Sequence, residues 1–481
     1  MPAAVAATLH NCTPEELGGN TYLRDLQCGQ VVVPENPNKP SGRKISLNVV
    51  KAPALSANPA KDPVLILAGG PGQAATGLEF ALYPMLAEIN RKRDIVMIDQ
   101  RGTGKSNPLK CELDDHDVLG LSEADIIEWQ ATAIQQCFEG YETDIEYYLT
   151  PYAVDDFHYV MRQLGYSEVN LWGSSYGTRA ALIFMRRHPD FIRSAVLDAV
   201  APLELVLTQN MAVDAEAALR ALLENCRRQA SCQEQFGGLE NKLSMLIERL
   251  DREPRVIELV HPLSQEKLEV HVTGKLLSQY IRLALYSREV SSVLLLVIDS
   301  LTQGDYQPLA SLIALGAESD QVISAGLHYT ILCATDVNAN VPSPQIETIS
   351  QGSSTLLSLD PRQSYKRICD KLPKVDLPKN YFRQTVYKQP MLLVSGQFDP
   401  VTPSRWGEKA LTTIEHAQHL VVPGAHHGAS TLGCMPKLIS QFFYVPGTRL
   451  VDTSCIDKIR PTPPFITPAG PAMAASEVLN D

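Results

Sequence analysis

The sequence predicts an α/β protein: a mostly parallel central sheet with helices on both faces and an inserted helical cap. Three observations predict it. Residues 29–200 alternate short apolar runs with longer helix-like ones. The short runs are apolar throughout rather than at every second position, which implies burial on both faces, as in a parallel sheet covered by helices. From about 203 to 385 the pattern becomes mostly helical, and two more apolar runs follow it.

The elements follow in chain order. Residues 1–28 form an N-terminal extension, and 29–202 the first part of the core. "QVVVP" and "KISLNVV" read as an opening antiparallel pair. "VLILAGG" (64–70), "DIVMIDQRG" (94–102), "VNLWGSS" (169–175) and "SAVLDAV" (194–200) read as buried strands. The cap occupies 203–385. Within it Leu239, Leu243, Leu246 and Leu250 keep helical spacing on a segment that stops before Pro254. The second part of the core, 386–459, holds "PMLLVSGQFD" (390–399) and "HLVVPGAHHG" (419–428). The tail, 460–481, is rich in Pro and Ala and reads as extended or disordered.

The chain has 481 residues, 44% of them hydrophobic and 20% charged, which is enough to bury a sizeable core. A formal net charge of -12 argues against nucleic acid as a main partner, since phosphate binding needs clustered Lys and Arg. No apolar run approaches the ~18–20 residues that cross a bilayer, so no membrane span is expected. Ten cysteines lie along the chain as close neighbours, and none forms a C-x-x-C pair. That pattern favours disulfides in an oxidising compartment over ten buried free thiols. The protein is therefore expected to be secreted or periplasmic, its export signal removed and Met1 an added start codon.

"GSSYG" (173–177) carries the chemistry. A serine nucleophile on a tight strand-to-helix turn needs small residues two before and two after it, the G-x-S-x-G pattern. Centring on Ser175 places Gly173 and Gly177 there; centring on Ser174 would place Trp172 and Tyr176 there. Ser175 is the candidate. A hydroxyl at neutral pH needs a base, and the base an orienting acid. In the fold that uses this turn the chain order is Ser, acid, His, with the acid and the His on loops after late strands. "SGQFDPVTP" offers Asp399. "PGAHHGAS" offers His426 and His427, of which His427, next to Gly428, is favoured. Oxyanion donors are expected from the Tyr176 backbone N–H and from the glycine-rich loop after an early strand, "LAGGPGQAA", with Gly70 the best single position. A phosphate loop is excluded because no G-K-[ST] follows, and a zinc site because no further ligands stand at matching spacing.

"AGGPGQ", "DQRGTGKSNP", "GSSYGT", "FDPVTP" and "GAHHG" resemble, in order, the motifs of the proline iminopeptidase and tripeptidyl aminopeptidase group of α/β-hydrolases. The secreted tripeptidyl-aminopeptidase-like branch is the nearer match, over about residues 28–455. The resemblance implies Ser175 as nucleophile, Asp399 as acid, His427 as base and the loop 69–72 as oxyanion hole. It leaves "DQRGTGKS" a structural turn. It also implies local disulfides: Cys12–Cys28, Cys111–Cys137, Cys226–Cys232, Cys333–Cys369 and Cys434–Cys455. Two positions depart from the group's usual pattern: Ala68 stands where His is common before Gly-Gly-Pro-Gly, and His426 where Gly usually precedes the catalytic His.

The expected function is a serine hydrolase that releases short pieces from peptide N-termini through an acyl-enzyme, without metal or cofactor. The expected partner is a peptide or small acyl substrate, and a monomer is favoured. A carboxylesterase with the same triad is the alternative. A binding protein on a hydrolase scaffold is a third reading, which filled triad positions disfavour.

Overall fold

Each of the six buried apolar runs becomes a strand of one sheet. The computed structural model describes residues 8–17, 23–111, 113, 118–320, 323–339, 356–445 and 452–471. Parts of the expected N-terminal extension (1–7, 18–22), of the cap (340–355) and of the tail (472–481) lie outside the described residues. The strands are β1 (His10–Asn11), β2 (Gln27–Pro34), β3 (Lys44–Ala52), β4 (Val64–Leu67), β5 (Ile95–Ile98), β6 (Val169–Ser174) and β7 (Ile192–Asp198), then β8 (Arg255–Val260), β9 (Lys267–Val272), β10 (Met391–Gly396), β11 (Ala417–Val422), β12 (Phe465–Thr467) and β13 (Gly470–Pro471).

Nine of them form the main sheet in the order β1-β2-β3-β5-β4-β6-β7-β10-β11. From β5 to β11 every pairing is parallel, while β1, β2 and β3 make an antiparallel edge. Alternation of side chains sorts the sheet onto two cores. Leu65, Leu67, Val96, Ile98, Leu171, Leu197 and Leu393 face one. Val64, Ile66, Ile95, Met97, Trp172, Val196, Leu392 and Val394 face the other. β4, β5 and β10 are buried at every residue, the physical reason their sequences lack alternation.

The strand order reverses about β4: the chain goes first to β5 on one side, then to β6 on the other. The carboxyl ends of strands at such a switch leave a crevice where ligands bind in open α/β sheets.

Between β7 and β10 the chain is mostly helical and has a core of its own. The leucine-rich segment forms the helix Leu239–Arg252, with Leu239, Leu243, Leu246, Ile247 and Leu250 buried on one face. The hairpin β8–β9 interrupts this helical run and was not apparent in the sequence. Two helices meet at a joint that matters below. Thr273 caps the helix Gly274–Ala284 by accepting from the Leu276 N–H, and Ser287 caps Arg288–Gln303 by accepting from the Val290 N–H. Leu285, Tyr286 and Ser287 form the joint between them.

All ten cysteines pair: Cys12–Cys28, Cys111–Cys137, Cys226–Cys232, Cys333–Cys369 and Cys434–Cys455. These are the pairs the resemblance implied. Among the described residues no helix is long and apolar enough to cross a membrane. In the Pro-rich tail, β12 and β13 form a short antiparallel ladder.

Candidate active site

β6 runs straight into the helix Tyr176–Arg187, and Ser175 alone makes the turn, at φ 56° and ψ -124°. A non-glycine residue there carries strain of about 1–3 kcal/mol, which the surroundings must over-determine. They do so from both sides. The Ser175 N–H donates to the Asp198 carbonyl at 3.0 Å, and its carbonyl accepts from the Thr178 N–H at 2.9 Å and hydroxyl at 2.6 Å. Gly177 is dictated by close approach: a β-carbon there would lie 2.1 Å from the Leu67 carbonyl oxygen.

Tyr176 opens the helix, whose first N–H groups have no acceptor within the helix itself. Its side chain points into the core, where its hydroxyl meets that of Thr150 at 2.8 Å and accepts from Gln100 Nε2 at 3.3 Å. Burial pushes this phenol well above its usual pKa.

The glycine-rich loop leaves β4 alongside this turn. A β-carbon on Gly69 would lie 3.3 Å from Ser175 Cβ, so the loop abuts Ser175 directly. Gly70 follows at φ 101°. The loop is fixed by groups distant in sequence. The Ser324 N–H donates to the Gly72 carbonyl at 2.9 Å. His328 Nδ1 lies 3.1 Å from the Pro71 carbonyl, and its Nε2 lies 3.1 Å from the Tyr365 hydroxyl. Burial lowers the His328 pKa to about 4, so the ring is neutral. Nδ1 must then donate to the carbonyl, and Nε2 accept from the phenol. Asp99, in the "DQRGTGKS" turn, accepts from the Thr76 N–H and hydroxyl, Asn48 Nδ2 and the Lys105 N–H. It anchors backbone and lies outside the chemistry.

Asp399 stands three residues past β10. Its Oδ1 accepts the N–H groups of Val401 and Thr402, both at 2.8 Å, and its Oδ2 accepts the Thr402 hydroxyl at 2.8 Å. His427 Nδ1 lies 3.0 Å from each carboxylate oxygen. Burial opposes ionisation of Asp399. The His427 charge and the hydrogen bonds from His427, Thr402 and Val401 outweigh it and hold its pKa below the usual carboxylate value. The Tyr286 ring stands edge-on to His427, centroids 5.0 Å apart, and the Tyr286 carbonyl takes the His427 N–H at 3.4 Å.

His426 faces elsewhere. Its Nδ1 lies 2.7 Å from the Leu285 carbonyl and 3.3 Å from the Ser291 hydroxyl. Burial lowers its pKa, which keeps it a neutral donor to that carbonyl. The ring next to Asp399 is that of His427.

Asp198 joins the Ser175 turn to the histidine loop. Its carbonyl holds the Ser175 N–H, and its carboxylate accepts the N–H groups of Ala429 at 3.0 Å and Ser430 at 2.8 Å. Ser175, Asp399, His427, Tyr176 and the Gly69–Gly70 loop thus come to the carboxyl ends of β4, β6, β10 and β11. Sequence reasoning missed Asp198, Tyr286, His328 and Tyr365. Only Asp198 carried a signal, as a carboxylate closing an otherwise apolar strand.

A parallel sheet with a strained serine turn after β6 and an acid and a histidine after late strands defines an α/β-hydrolase fold. Residues 62–225 match the family described as alpha/beta hydrolase fold, and residues 357–455 the family described as TAP-like protein. The tripeptidyl aminopeptidase of Streptomyces coelicolor is 30% identical over 193 residues, 37% of this chain and 35% of that protein. Carboxylesterase B of Mycobacterium tuberculosis is 27% identical over 188 residues, 38% of this chain and 32% of that protein. YuaR of Escherichia coli is 22% identical over 469 residues, 91% of this chain and 89% of that protein. The first two alignments span about a third of those relatives. The chain therefore has the α/β-hydrolase fold, with a second stretch that matches the TAP-like family and a partial similarity to tripeptidyl aminopeptidases.

Proposed function

We propose that the protein is a secreted or periplasmic serine hydrolase that releases short pieces from free peptide N-termini. Ser175 is the nucleophile, His427 the base and Asp399 the orienting acid. The observation that carries this reading is the His427–Asp399 pair at 3.0 Å, tied through Asp198 to the strained Ser175 turn. Five disulfides support an oxidising compartment. The similarity to a tripeptidyl aminopeptidase supports the peptide substrate. The block 203–385 acts as a cap that excludes long folded chains.

Asp399 accepts Nδ1–H of His427 and leaves Nε2 free to take the Ser175 proton as Oγ attacks the scissile carbonyl. The carbonyl π pair moves onto oxygen, held by the N–H groups of Tyr176 and Gly70. The C–N bond then breaks as His427 gives its proton to the leaving amine. Water enters, loses a proton to His427 and attacks the acyl ester; the acid leaves and Ser175 regains its proton. A carboxylesterase reading shares every step with an alcohol as leaving group, and the similarity to carboxylesterase B favours keeping it.

Peptidyl arylamides one to four residues long, assayed beside simple acyl esters, test the substrate class; turnover of esters alone removes the peptidase reading. Ser175→Ala should lose at least about 10³-fold in kcat and all labelling by a fluorophosphonate. Undiminished hydrolysis in a folded S175A protein refutes the assignment of the nucleophile.

A further inference from the structure

Four arginines are buried among the described residues: Arg93, Arg101, Arg179 and Arg282. Three of them face a carboxylate. Arg93 pairs with Asp62 at 2.9 Å, Arg101 with Asp156 at 2.7 Å, and Arg179 with Asp336 at 3.8 Å while also donating to the Pro202 and Leu205 carbonyls. Arg282 is 8% exposed, and among the described residues no carboxylate pairs with it. Its Nη2 donates to the Tyr286 hydroxyl at 2.7 Å, and its Nε is buried without a hydrogen-bond partner. A guanidinium has five N–H donors in a planar fork that matches a carboxylate, so most of this fork is unspent.

Burying a cation without an anion is costly, and what surrounds Arg282 compensates little of it. The guanidinium lies 5.2 Å from the centre of the Tyr286 ring. It also sits in the last turn of the helix Gly274–Ala284, where the dipole favours a positive charge. Both effects are small beside desolvation of an ion.

The position of Arg282 says what the fork is for. Tyr286, which holds it, stands edge-on to His427. Arg282 thus sits one side chain away from the imidazole of His427.

We propose that Arg282 is a specificity site that binds a carboxylate of the substrate, either an acidic side chain or the C-terminal carboxylate of a short peptide. The ion would pair with the unspent fork as Asp156 pairs with that of Arg101 through two hydrogen bonds. The proposal rests on the hydrolase reading above, and its test is built to separate the two.

The test uses substrate pairs that differ by one carboxylate: Glu against Gln at each position flanking the cleaved bond, and free-acid peptides against their C-terminal amides. The wild-type protein should prefer the carboxylate member of one pair by at least about tenfold in kcat/KM, chiefly through KM. The pair that responds identifies the source of the carboxylate. Arg282→Gln should bring that ratio close to one, and Arg282→Lys should keep part of it. Glutarate should inhibit the wild-type protein and glutaramide should not, a comparison that stands even if the variants fail to fold.

A wild-type protein whose Ser175 takes the fluorophosphonate label, but which treats both members of every pair alike, overturns the Arg282 proposal and leaves the hydrolase reading intact. An unchanged ratio in folded R282Q overturns it too. Absence of labelling and turnover counts against the hydrolase reading. Calorimetry of glutarate against glutaramide then still decides on Arg282, with equal binding of the two, or of neither, overturning it.

Discussion

Replacing Asp399 by Asn tests the hydrogen-bond logic of the site more sharply than deleting it would. Oδ1 accepts two backbone N–H groups, of Val401 and Thr402, at 2.8 Å each. An amide NH₂ cannot accept them, so the asparagine oxygen must occupy that position. The NH₂ then takes the place of Oδ2, 3.0 Å from His427 Nδ1. There it donates, which favours His427 Nδ1 as its acceptor over the same nitrogen donating to the retained oxygen, also 3.0 Å away. The ring proton moves to Nε2, the nitrogen that has to receive the proton of Ser175. The side-chain volume barely changes, so the fold should survive while the base sits in the wrong tautomer. By the general behaviour of such triads the loss should be about 10⁴-fold in kcat, or roughly 5 kcal/mol of barrier. The assay is kcat and KM on whichever arylamide or ester turns over, with the rate of fluorophosphonate labelling as a second readout and urea unfolding as the control. KM should move little, because the lost interaction belongs to the transition state. A folded D399N protein keeping more than about a tenth of wild-type kcat would refute this reasoning.

The two histidines should part company on substitution. His426→Ala removes a buried donor from the Leu285 carbonyl and should cost about 1–3 kcal/mol in urea unfolding, while His426→Asn, which can still donate from the position of Nδ1, should recover part of it. His427→Ala should instead abolish turnover; the reverse pattern would move the base to His426. Asp399 also predicts a pH dependence of stability. Its folded pKa is depressed, so its contribution is complete above the unfolded value of about 3.9 and is lost as pH falls through the folded value. The stability gap between wild type and D399N should therefore be wider at pH 7 than at pH 3, and a gap that widens in acid contradicts the shift.

The parts that the sequence exposes are those governed by short-range rules. The strands of the parallel sheet announce themselves because burial on both faces removes polar alternation. Ser175 announces itself because Gly177 has no room for a side chain against Leu67. Asp399 and His427 are readable because both lie a few residues past a buried strand. The hairpin β8–β9 was hidden because its strands carry charged residues and stand half-exposed, so neither has a continuous apolar run. Arg282, His328 and Tyr365 were hidden for a different reason. On their own helices they look like ordinary polar residues, and only packing between distant segments sets His328 and Tyr365 under residue 71 and Arg282 against the tyrosine that faces residue 427.

The doublet at 426 and 427 resolves the departure from the group's usual Gly-His in physical terms. The two rings serve different partners: His427 turns to Asp399, and His426 to the helix joint at Leu285. The same joint supplies the carbonyl that takes the His427 N–H and the ring that stands against its imidazole. A glycine at 426 would leave the joint without the hydrogen bond to the Leu285 carbonyl. The segment 203–385 grips the other half of the site as well, through Ser324 and His328 on the Gly70–Gly72 loop. It therefore touches both the histidine proposed as base and the loop proposed for the oxyanion. Substitutions in this segment that shift either grip should act on kcat, not merely on the size of substrate admitted, because the roof and the chemistry share these hydrogen bonds.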